Sequence, residues 1–366
     1  MVLADSKLGF GFLRLPRKGL SYDWKGIERM VDHFMELGGN YFDTCPTYLN
    51  GASEEGIRRC VAMRKPRESF QVADKLPGYQ CGGSADCKRA LDRALTSCGV
   101  DYFDVYMLHW LNGAHYRMAQ QRGQFEFLQE AKAAGVARRI GFSYHDNAEL
   151  LARILDDHPE VDVVQLQVNY LDWDTPGIES RACYETCVQH GKKVIVMEPL
   201  KGGSLAQIPA AVQSALATIH PDWSPADWAL RFVQTLPQVE VCLSGMTALS
   251  EVNANCQPFE PLDAAEIEVL LGIRSAVAGR TAVPCTGCGY CLPHCPQGIP
   301  IPTYFGMLNE ITRHPEEGWK VRPAYSQTCA TSPTPSECIE CRACEAHCPQ
   351  GIPVSTRLKD VVRKLG

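Results

Sequence analysis

The sequence predicts an α/β protein: a (β/α)8 TIM barrel followed by a small, α-helical domain. Short apolar segments alternate with amphipathic ones until two runs of four cysteines begin near the C-terminus. That alternation is typical of a barrel in which each parallel strand is followed by a helix. The predicted domains are a barrel over residues 1–262, a helix and linker over 263–283, and a cysteine-rich domain over 284–366.

Eight segments have the near-continuous apolar character of strands buried on both faces. They are Leu8–Leu15, Asn40–Thr44, Phe70–Lys75, Phe103–Trp110, Arg139–Tyr144, Val163–Asn169, Lys193–Glu198 and Val239–Gly245. A doubly wound sheet is the rival fold, but it normally has a G-x-G-x-x-G turn after its first strand. Gly9-Phe10-Gly11 lies inside the first strand and does not supply that turn.

The remaining segments are predicted to be helical, and several of them end at a glycine, such as Cys98-Gly99 and Ala134-Gly135. Two helical segments, Leu205–Ile219 and Pro225–Thr235, lie between the seventh and eighth strands. Beyond the barrel the helical patterns are Asp263–Val277, Thr303–Ile311 and Val354–Leu365.

Composition limits the class of protein. The 366 residues are 45% hydrophobic and 21% charged, which is ordinary for a globular protein with a good core. A net charge of −6 argues against a nucleic-acid partner. No signal region or membrane-length apolar run is present, and the 18 cysteines form no disulfide pattern outside the two runs. We therefore expect a cytoplasmic protein with no membrane partner.

The two cysteine runs share the spacing C-x2-C-x2-C-x3-C-P, and both continue as Gln-Gly-Ile-Pro. Their cysteines are Cys285, Cys288, Cys291 and Cys295, then Cys338, Cys341, Cys344 and Cys348. Bacterial-type ferredoxins use this spacing to hold [4Fe–4S] clusters, and the fourth cysteine usually reaches the other cluster. Zinc is the alternative for one such run, but zinc sites usually stop at paired cysteines. Two complete copies predict two [4Fe–4S] clusters.

Polar side chains occupy the C-terminal ends of consecutive predicted strands, where barrels carry their chemistry. They are Asp43, Lys75 and His109, with Tyr48 in the loop after Asp43. A free tyrosine has a pKa of about 10, and a neighbouring ammonium held by a carboxylate would favour its phenolate. His109 would orient a carbonyl oxygen. The set can exchange a proton with an oxygen while hydride reaches carbon.

These residues resemble those of the aldo/keto reductase family. The similarity covers roughly residues 7–257 and includes Phe42-Asp43-Thr44, Tyr48, Gly51-Ala52-Ser53-Glu54-Glu55 and Ile140-Gly141-Phe142-Ser143. The whole chain is similar to a branch in which that barrel precedes two [4Fe–4S] motifs. The resemblance implies that Asp43, Tyr48, Lys75 and His109 are catalytic.

The resemblance also implies a nicotinamide cofactor, NAD(H) or NADP(H), across the barrel mouth. Ser143 and Gln167 would hold its carboxamide, while Leu200 with Gly202 and Gly203 would approach the pyrophosphate. The other implied contacts are Met197 at the nicotinamide, Gly245 and Met246 at the adenosine phosphates, and Asn255 near adenine.

Three positions depart from the family pattern. Met197 stands where an aromatic residue usually stacks, and Tyr144 follows Ser143 where asparagine is common. No Lys or Arg lies between Ser244 and Cys256, where NADP-preferring members place one, and Thr247 sits near that position. We therefore expect NAD(H) to be preferred over NADP(H).

The sequence says less about the substrate and the redox partner. Trp110, Tyr116 and Trp173 are candidate substrate contacts, for stacking on a carbonyl or polyol substrate, or else anchors of loop packing. The clusters could exchange electrons with a ferredoxin or other redox partner, or they could be structural. A third interpretation makes the protein an electron-transfer adaptor with a non-catalytic barrel. No flavin motif is visible, although barrel phosphate loops could hide one.

Overall fold

The computed structural model describes residues 7–175, 178–279 and 281–366. The chain divides into two compact units: residues 7–199 with 226–267, and Leu200–Pro225 with Glu268–Gly366. The predicted linear boundaries did not anticipate that residues 200–225 group with the C-terminal unit. This grouping depends on contacts between segments far apart in the chain.

The first unit contains the predicted barrel. Its described strands are β1 (Leu8–Gly11), β2 (Arg17–Lys18), β3 (Ser21–Tyr22), β4 (Tyr41–Asp43), β5 (Gln71–Leu76), β6 (Phe103–Leu111), β7 (Ala137–Tyr144), β8 (Val163–Gln167), β9 (Lys193–Met197) and β10 (Val239–Ser244). Eight of them close a parallel barrel in the order β1-β10-β9-β8-β7-β6-β5-β4, which confirms the fold class. The antiparallel pair β2–β3 was not predicted, because two-residue strands carry no periodicity.

Apolar side chains fill the barrel interior. One buried cluster draws on six of the eight strands and consists of Tyr41, Ala73, Val105, Met107, Val163, Ile195, Val241 and Leu243. Such layers make a barrel of this size a packed core rather than a pore, so polar side chains collect at its ends. The register of β1 on β4 pairs Gly11 with Asp43, which places Asp43 at the C-terminal end of its strand.

The described α-helices alternate with the barrel strands and continue into the second unit. They are α1 (Trp24–Glu36), α2 (Ala52–Ile57), α3 (Ser84–Cys98), α4 (Gly113–Gln121), α5 (Gln124–Ala133), α6 (Ala148–Asp157), α7 (Ser180–Gln189), α8 (Ala210–Ala217), α9 (Pro225–Thr235), α10 (Leu249–Asn255), α11 (Ala264–Gly272), α12 (Arg274–Ala278), α13 (Ile301–Arg313), α14 (Gly318–Thr331) and α15 (Val354–Leu365). None of these described helices is long and apolar enough to cross a membrane.

The second unit has its own apolar core. Side chains of α13, α14 and α15 form it, together with Val283, Ile299, Cys344 and Ile352, and other cysteines of the two runs pack against it. The helix α14 was not predicted, because it contains Pro323 and lacks a regular apolar stripe. The predicted helix at 263–277 is present as two pieces, α11 and α12.

Candidate active site and cluster-binding cysteines

A buried ion pair forms the centre of the candidate active site. Lys75 Nζ donates to Asp43 Oδ1 at 2.6 Å and to the Thr44 carbonyl oxygen at 2.9 Å. The Lys75 side chain is 0% exposed and that of Asp43 is 3% exposed. Gln165 Nε2 donates to the other carboxylate oxygen of Asp43 at 3.0 Å. Gln165, which the sequence analysis did not single out, thus helps satisfy a charge that is costly to bury.

Tyr48 and His109 lie beside this pair. Lys75 Nζ is 4.8 Å from the centre of the Tyr48 ring, and that ring meets the His109 ring edge-on at 5.9 Å between centroids. Tyr48 begins a 3-10 turn whose next two residues, Leu49 and Asn50, have φ of 54° and 55°. Non-glycine residues in this region are strained, and such strain is common at functional sites. The ion pair and these ring distances show that the structure brings all four predicted catalytic residues together.

His109 is positioned to act as a neutral hydrogen-bonding group. Burial, with the Lys75 ammonium and the rings of His145 and His115 nearby, holds the pKa of His109 well below its ordinary value of 6.5. Its Nδ1 lies 3.3 Å from Cys45 Sγ. Burial raises the pKa of the Cys45 thiol to about 12, so Cys45 is a neutral thiol and suits packing rather than nucleophilic attack.

The rings of Tyr79, Trp110 and His115 contact one another next to His109. Tyr79 stacks on His115 with 5.0 Å between ring centroids and lies 6.2 Å from His109. Trp110 meets both Tyr79 and His115 edge-on. Tyr79 and His115 were not identified from the sequence. Trp110 was identified from the sequence and stays a candidate for substrate contact.

The other two predicted substrate residues lie in the helical layer. Tyr116, on α4, donates its hydroxyl to Asp157 Oδ2 at 2.5 Å. Trp173 packs edge-on against Phe232 of α9 at 5.2 Å between ring centroids. Both side chains are buried. Their placement favours the packing role that the sequence left open.

Apart from Asn255, which is the last residue of α10, the predicted cofactor contacts of the first unit lie at or just beyond the C-terminal ends of strands. Ser143 Oγ accepts from the backbone N–H of Trp110 at 2.7 Å, and Gln167 Nε2 donates to Asp172 Oδ2 at 3.0 Å. Asn255 Nδ2 donates to Ser244 Oγ at 3.0 Å. Met197 ends β9, and Gly245 and Met246 follow β10 directly. Leu200, Gly202 and Gly203 belong to the second unit.

A carboxylate occupies the turn that precedes α10. Glu251 Oε2 accepts from the backbone N–H and the hydroxyl of Thr247, at 2.5 and 3.1 Å, and from the N–H of Ala248 at 3.2 Å. Thr247 sits near the position where, by the family resemblance, NADP-preferring members carry a basic residue for the extra phosphate. Its donors are already used by a negative group.

A second group of buried titratable side chains lies behind Lys75. Donor atoms of Glu54, Asp74 and Cys98 all lie within 4.8 Å of one another. Asp74 Oδ1 accepts from the Lys75 backbone N–H at 2.7 Å, and Cys98 Sγ is 3.7 Å from Asp74 Oδ2. Burial, and then the charge of the other carboxyl, raises the pKa of Glu54; burial also raises that of Asp74. A proton shared between the two carboxyls keeps them from both being charged.

This pair predicts an unusual pH dependence of stability. A carboxyl whose pKa is raised by folding holds its proton in the native state, so the stability that it contributes is lost as the pH rises above the ordinary carboxyl range. Asp74→Asn keeps an acceptor for the Lys75 N–H and cannot ionise. Between pH 6 and pH 9 we expect the wild type to lose about 1–3 kcal/mol more of its unfolding free energy than Asp74→Asn loses. Denaturant unfolding at both pH values measures this; equal pH slopes for the two proteins would contradict it.

The eight cysteines of the two runs fall into two groups. Burial, and then the nearby thiols of Cys288, Cys285, Cys348 and Cys344, raise the pKa of Cys291. Cys344 has Cys295 and Cys338 as neighbours, and burial is again the first cause of its raised pKa. A separate cavity is lined by Cys338, Cys341, Cys344 and Cys295. Each group therefore combines three cysteines of one run with the fourth of the other, and four thiolates fit a [4Fe–4S] cluster.

Comparison with known proteins finds a family match for the barrel and another for the cysteine-rich domain. Residues 7–274 match the Aldo/keto reductase family, and residues 284–352 match the 4Fe-4S dicluster domain. An aldo-keto reductase of Mycobacterium sp. (strain MCS) is 38% identical over 134 residues, which are 35% of this chain and 43% of that protein. One from Mycobacterium avium is 28% identical over 217 residues, or 57% of this chain and 68% of the relative. This chain thus spans less than half the length of the first of these relatives.

The fold also matches solved structures. An aldo-keto reductase from Klebsiella pneumoniae in complex with NADPH superposes with a TM-score of 0.61 at 20% identity, covering 74% of this chain and 91% of the other. The family match extends over well more than half of the chain. This chain belongs to the aldo/keto reductase family, and a 4Fe-4S dicluster domain follows its barrel.

Proposed function

We propose that the protein is an oxidoreductase that transfers a hydride between a nicotinamide cofactor and a small carbonyl or alcohol substrate. The observation that carries this proposal is the buried Lys75–Asp43 ion pair beside Tyr48 and His109. An apolar core would not retain a buried charge pair for stability alone, since such pairs contribute little net free energy. The pair is better explained by a role in proton transfer.

Each of the four residues has a distinct role in the proposed reaction. When bound, the nicotinamide cofactor supplies or accepts the hydride. Tyr48 donates a proton to the substrate oxygen in reduction and takes it back in oxidation. The Lys75 ammonium, fixed by Asp43, stabilises the phenolate that Tyr48 becomes. Neutral His109 donates a hydrogen bond to the carbonyl oxygen, and one such donor lowers the barrier by about 3 kcal/mol.

The proposed cofactor contacts are those implied by the family: Ser143, Gln167, Met197, Leu200, Gly202, Gly203, Gly245, Met246 and Asn255. We further propose a preference for NAD(H). Two features support it: the absence of Lys and Arg from 245–255, and the Glu251 carboxylate on the donors of Thr247. A 2′-phosphate at Thr247 would meet that negative charge.

The cofactor preference can be tested at Glu251. In Glu251→Gln the side chain keeps an acceptor for Thr247 but loses its charge. We expect the kcat/KM for NADPH to rise about 10-fold and that for NADH to stay nearly constant. Glu251→Asp, which keeps the charge, is the matched control. A wild-type enzyme with a KM for NADPH equal to or below that for NADH would contradict the proposed preference.

The two clusters, when bound, supply one-electron transfer, whereas hydride transfer moves two electrons. We propose that they either exchange electrons with a redox partner such as a ferredoxin or support the fold. Anaerobic addition of NADH, followed by optical and spin-resonance spectroscopy, distinguishes the two roles. Bleaching of the clusters would favour electron exchange, and an unchanged spectrum would favour support; a bound flavin would appear in the same optical spectrum.

The proposed hydride transfer is tested by turnover. Purified anaerobically, the protein should oxidise NADH in the presence of small aldehydes or ketones, with the alcohol as product. Absence of turnover with both nicotinamide cofactors across a carbonyl panel, and of alcohol oxidation in the reverse direction, would overturn the proposed function.

A further inference from the structure

The two cysteine runs carry different residues around their second cysteine. In the first run Gly287 and Gly289 flank it, with φ of 71° and 80°. In the second run the equivalent residues are Glu340 and Arg342, and their φ values are 55° and 58°. Glycine adopts this left-handed backbone at little cost, whereas a residue with a Cβ is strained there. The second run therefore keeps two charged side chains at positions where the first run has glycine, and such strain is typical of functional sites.

The second run is also the more exposed of the two at this point. Cys341 is the one exposed cysteine among the eight in the runs, all of which the structure describes. Ile339 is 61% exposed, whereas Thr286 at the equivalent position of the first run is 5% exposed. Gly202 of the same unit lies against Thr286, since a Cβ built on it would fall 2.7 Å from Thr286 Cα. Only the second run therefore presents a cluster ligand and an uncovered apolar side chain together at the surface.

Cationic side chains lie beside the second run. Lys359 Nζ of α15 pairs with Glu340 Oε1 at 2.7 Å, and both side chains are exposed. Arg342, which is also exposed, lines a cavity together with Leu358 of the same helix. Residues 338–366 contain five Lys or Arg against three Asp or Glu, although the whole chain has a net charge of −6. This part of the second unit is therefore locally positive, and an acidic surface complements it.

We propose that an acidic one-electron carrier protein docks on the surface formed by Ile339, Glu340, Cys341, Arg342 and Lys359. Interfaces of electron carriers are small and weak, and an arginine beside one apolar side chain suits such a contact. The carrier gives one electron to the cluster that Cys341 helps to hold, or takes one from it, so one partner is oxidised as the other is reduced. This inference rests on the electron exchange that the proposed function includes as one of two roles, and it names the surface and the partner.

A cytochrome c in two charge states is the probe for this docking surface. The native cytochrome is basic, and succinylation of its lysines makes it acidic while the haem still accepts one electron. Protein reduced anaerobically with dithionite, and freed of excess reductant, is mixed with each form, and haem absorbance gives the second-order rate constant. At low ionic strength we expect the acidic form to be reduced about 10-fold faster, and the difference to shrink as salt is added. Equal rates, or faster reduction of the basic form, would overturn the inference.

The double variant Ile339→Thr, Arg342→Gly tests the docking surface itself. It gives the second run the residues of the first at two positions, keeps every cysteine and relieves the strain at position 342. Its iron content and the spin-resonance spectrum of its reduced form should therefore match the wild type. Its rate constant with the acidic cytochrome should fall about 10-fold, because both an apolar contact and a cation are lost. An unchanged rate constant would overturn the inference.

A charge reversal tests the same surface with less change to the backbone. Arg342→Glu should slow reduction of the acidic cytochrome and speed that of the basic one. Lys320→Glu is the matched control, because Lys320 is an exposed cation on α14 outside both runs. It should change both rate constants less than about 2-fold. Equal effects of the two reversals would overturn the inference.

These measurements are independent of the proposed hydride transfer, because the electron that reaches the cytochrome comes from dithionite. Charge-independent reduction by a protein that reduces carbonyls with NADH would overturn the docking surface and leave hydride transfer intact. Failure of carbonyl turnover, in a protein whose cytochrome reduction depends on charge and on Arg342, would overturn hydride transfer alone. A wild-type dimer that dissociates in the double variant, measured by sedimentation, would assign the surface to a second copy of this chain and overturn the inference.

Discussion

Tyr48→Phe is expected to abolish carbonyl reduction while leaving the iron content unchanged. The substitution removes one hydroxyl and keeps the ring that lies 4.8 Å from Lys75 Nζ and meets His109 edge-on. Without the phenol there is no proton donor for the substrate oxygen, and loss of general acid–base catalysis lowers kcat about 10²- to 10⁴-fold. The Kd for the cofactor should stay within about 2-fold, because the hydroxyl acts only on the substrate oxygen.

Tyr79→Phe is the matched control for this experiment. Tyr79 also lies near His109, at 6.2 Å between ring centroids, but it is not positioned over Lys75. Removal of the Tyr79 hydroxyl should change kcat by less than about 5-fold if Tyr48 alone donates the proton. Undiminished turnover of Tyr48→Phe, or equal losses in the two variants, would refute the assignment. Substitutions of Lys75 or Asp43 are less informative, because each would leave an unpaired buried charge and destabilise the protein.

The second large effect concerns which cysteines share a cluster. Cys348→Ser is expected to damage the same cluster as Cys285→Ser, although the two positions belong to different runs. Cys295→Ser should damage the cluster that Cys338→Ser damages. Each variant should lose roughly half of the bound iron, because a [4Fe–4S] cluster needs four thiolate ligands. The grouping is checked by iron analysis together with spin-resonance spectra of the reduced proteins.

The spectra decide the pairing, because iron content alone cannot show which cluster is lost. We expect the spectrum that remains in Cys348→Ser to match that in Cys285→Ser and to differ from that in Cys295→Ser. Cys329→Ser is the control, since Cys329 packs against the same core but lies outside both runs. If Cys348→Ser instead resembles Cys341→Ser, each run ligates its own cluster and the crossed arrangement is wrong.

The sequence alone was sufficient for the fold class. Strands buried on both faces have near-continuous apolar runs, and all eight barrel strands lie where those runs were found. Their ends moved by a few residues: β1 stops at Gly11, for example, four residues before the predicted end. Boundaries of this kind depend on hydrogen-bonding partners in neighbouring strands, which a local pattern does not contain.

The candidate site could be predicted only in part. Asp43, Lys75 and His109 were found because parallel strands bring their C-terminal ends to one edge of the barrel. Gln165 was missed, although it bonds to Asp43, because the two are 122 residues apart and a glutamine in a strand carries no signal of its own. Glu54 and Asp74 were missed for the same reason: their shared environment arises only when α2 packs near β5.

The sequence by itself determined a (β/α)8 barrel followed by a domain with two [4Fe–4S] cysteine runs, because strand periodicity, cysteine spacing and residues at strand ends are local properties. The aldo/keto reductase family was indicated by the resemblance of its motifs, and the match of residues 7–274 to the family shows it. Only the tertiary structure showed that Leu200–Pro225 belongs with the C-terminal unit and that Gly202 lies against Thr286. It also showed that Tyr116 and Trp173 are packed among helices. These features are set by contacts between distant segments, where burial and close approach depend on the whole fold.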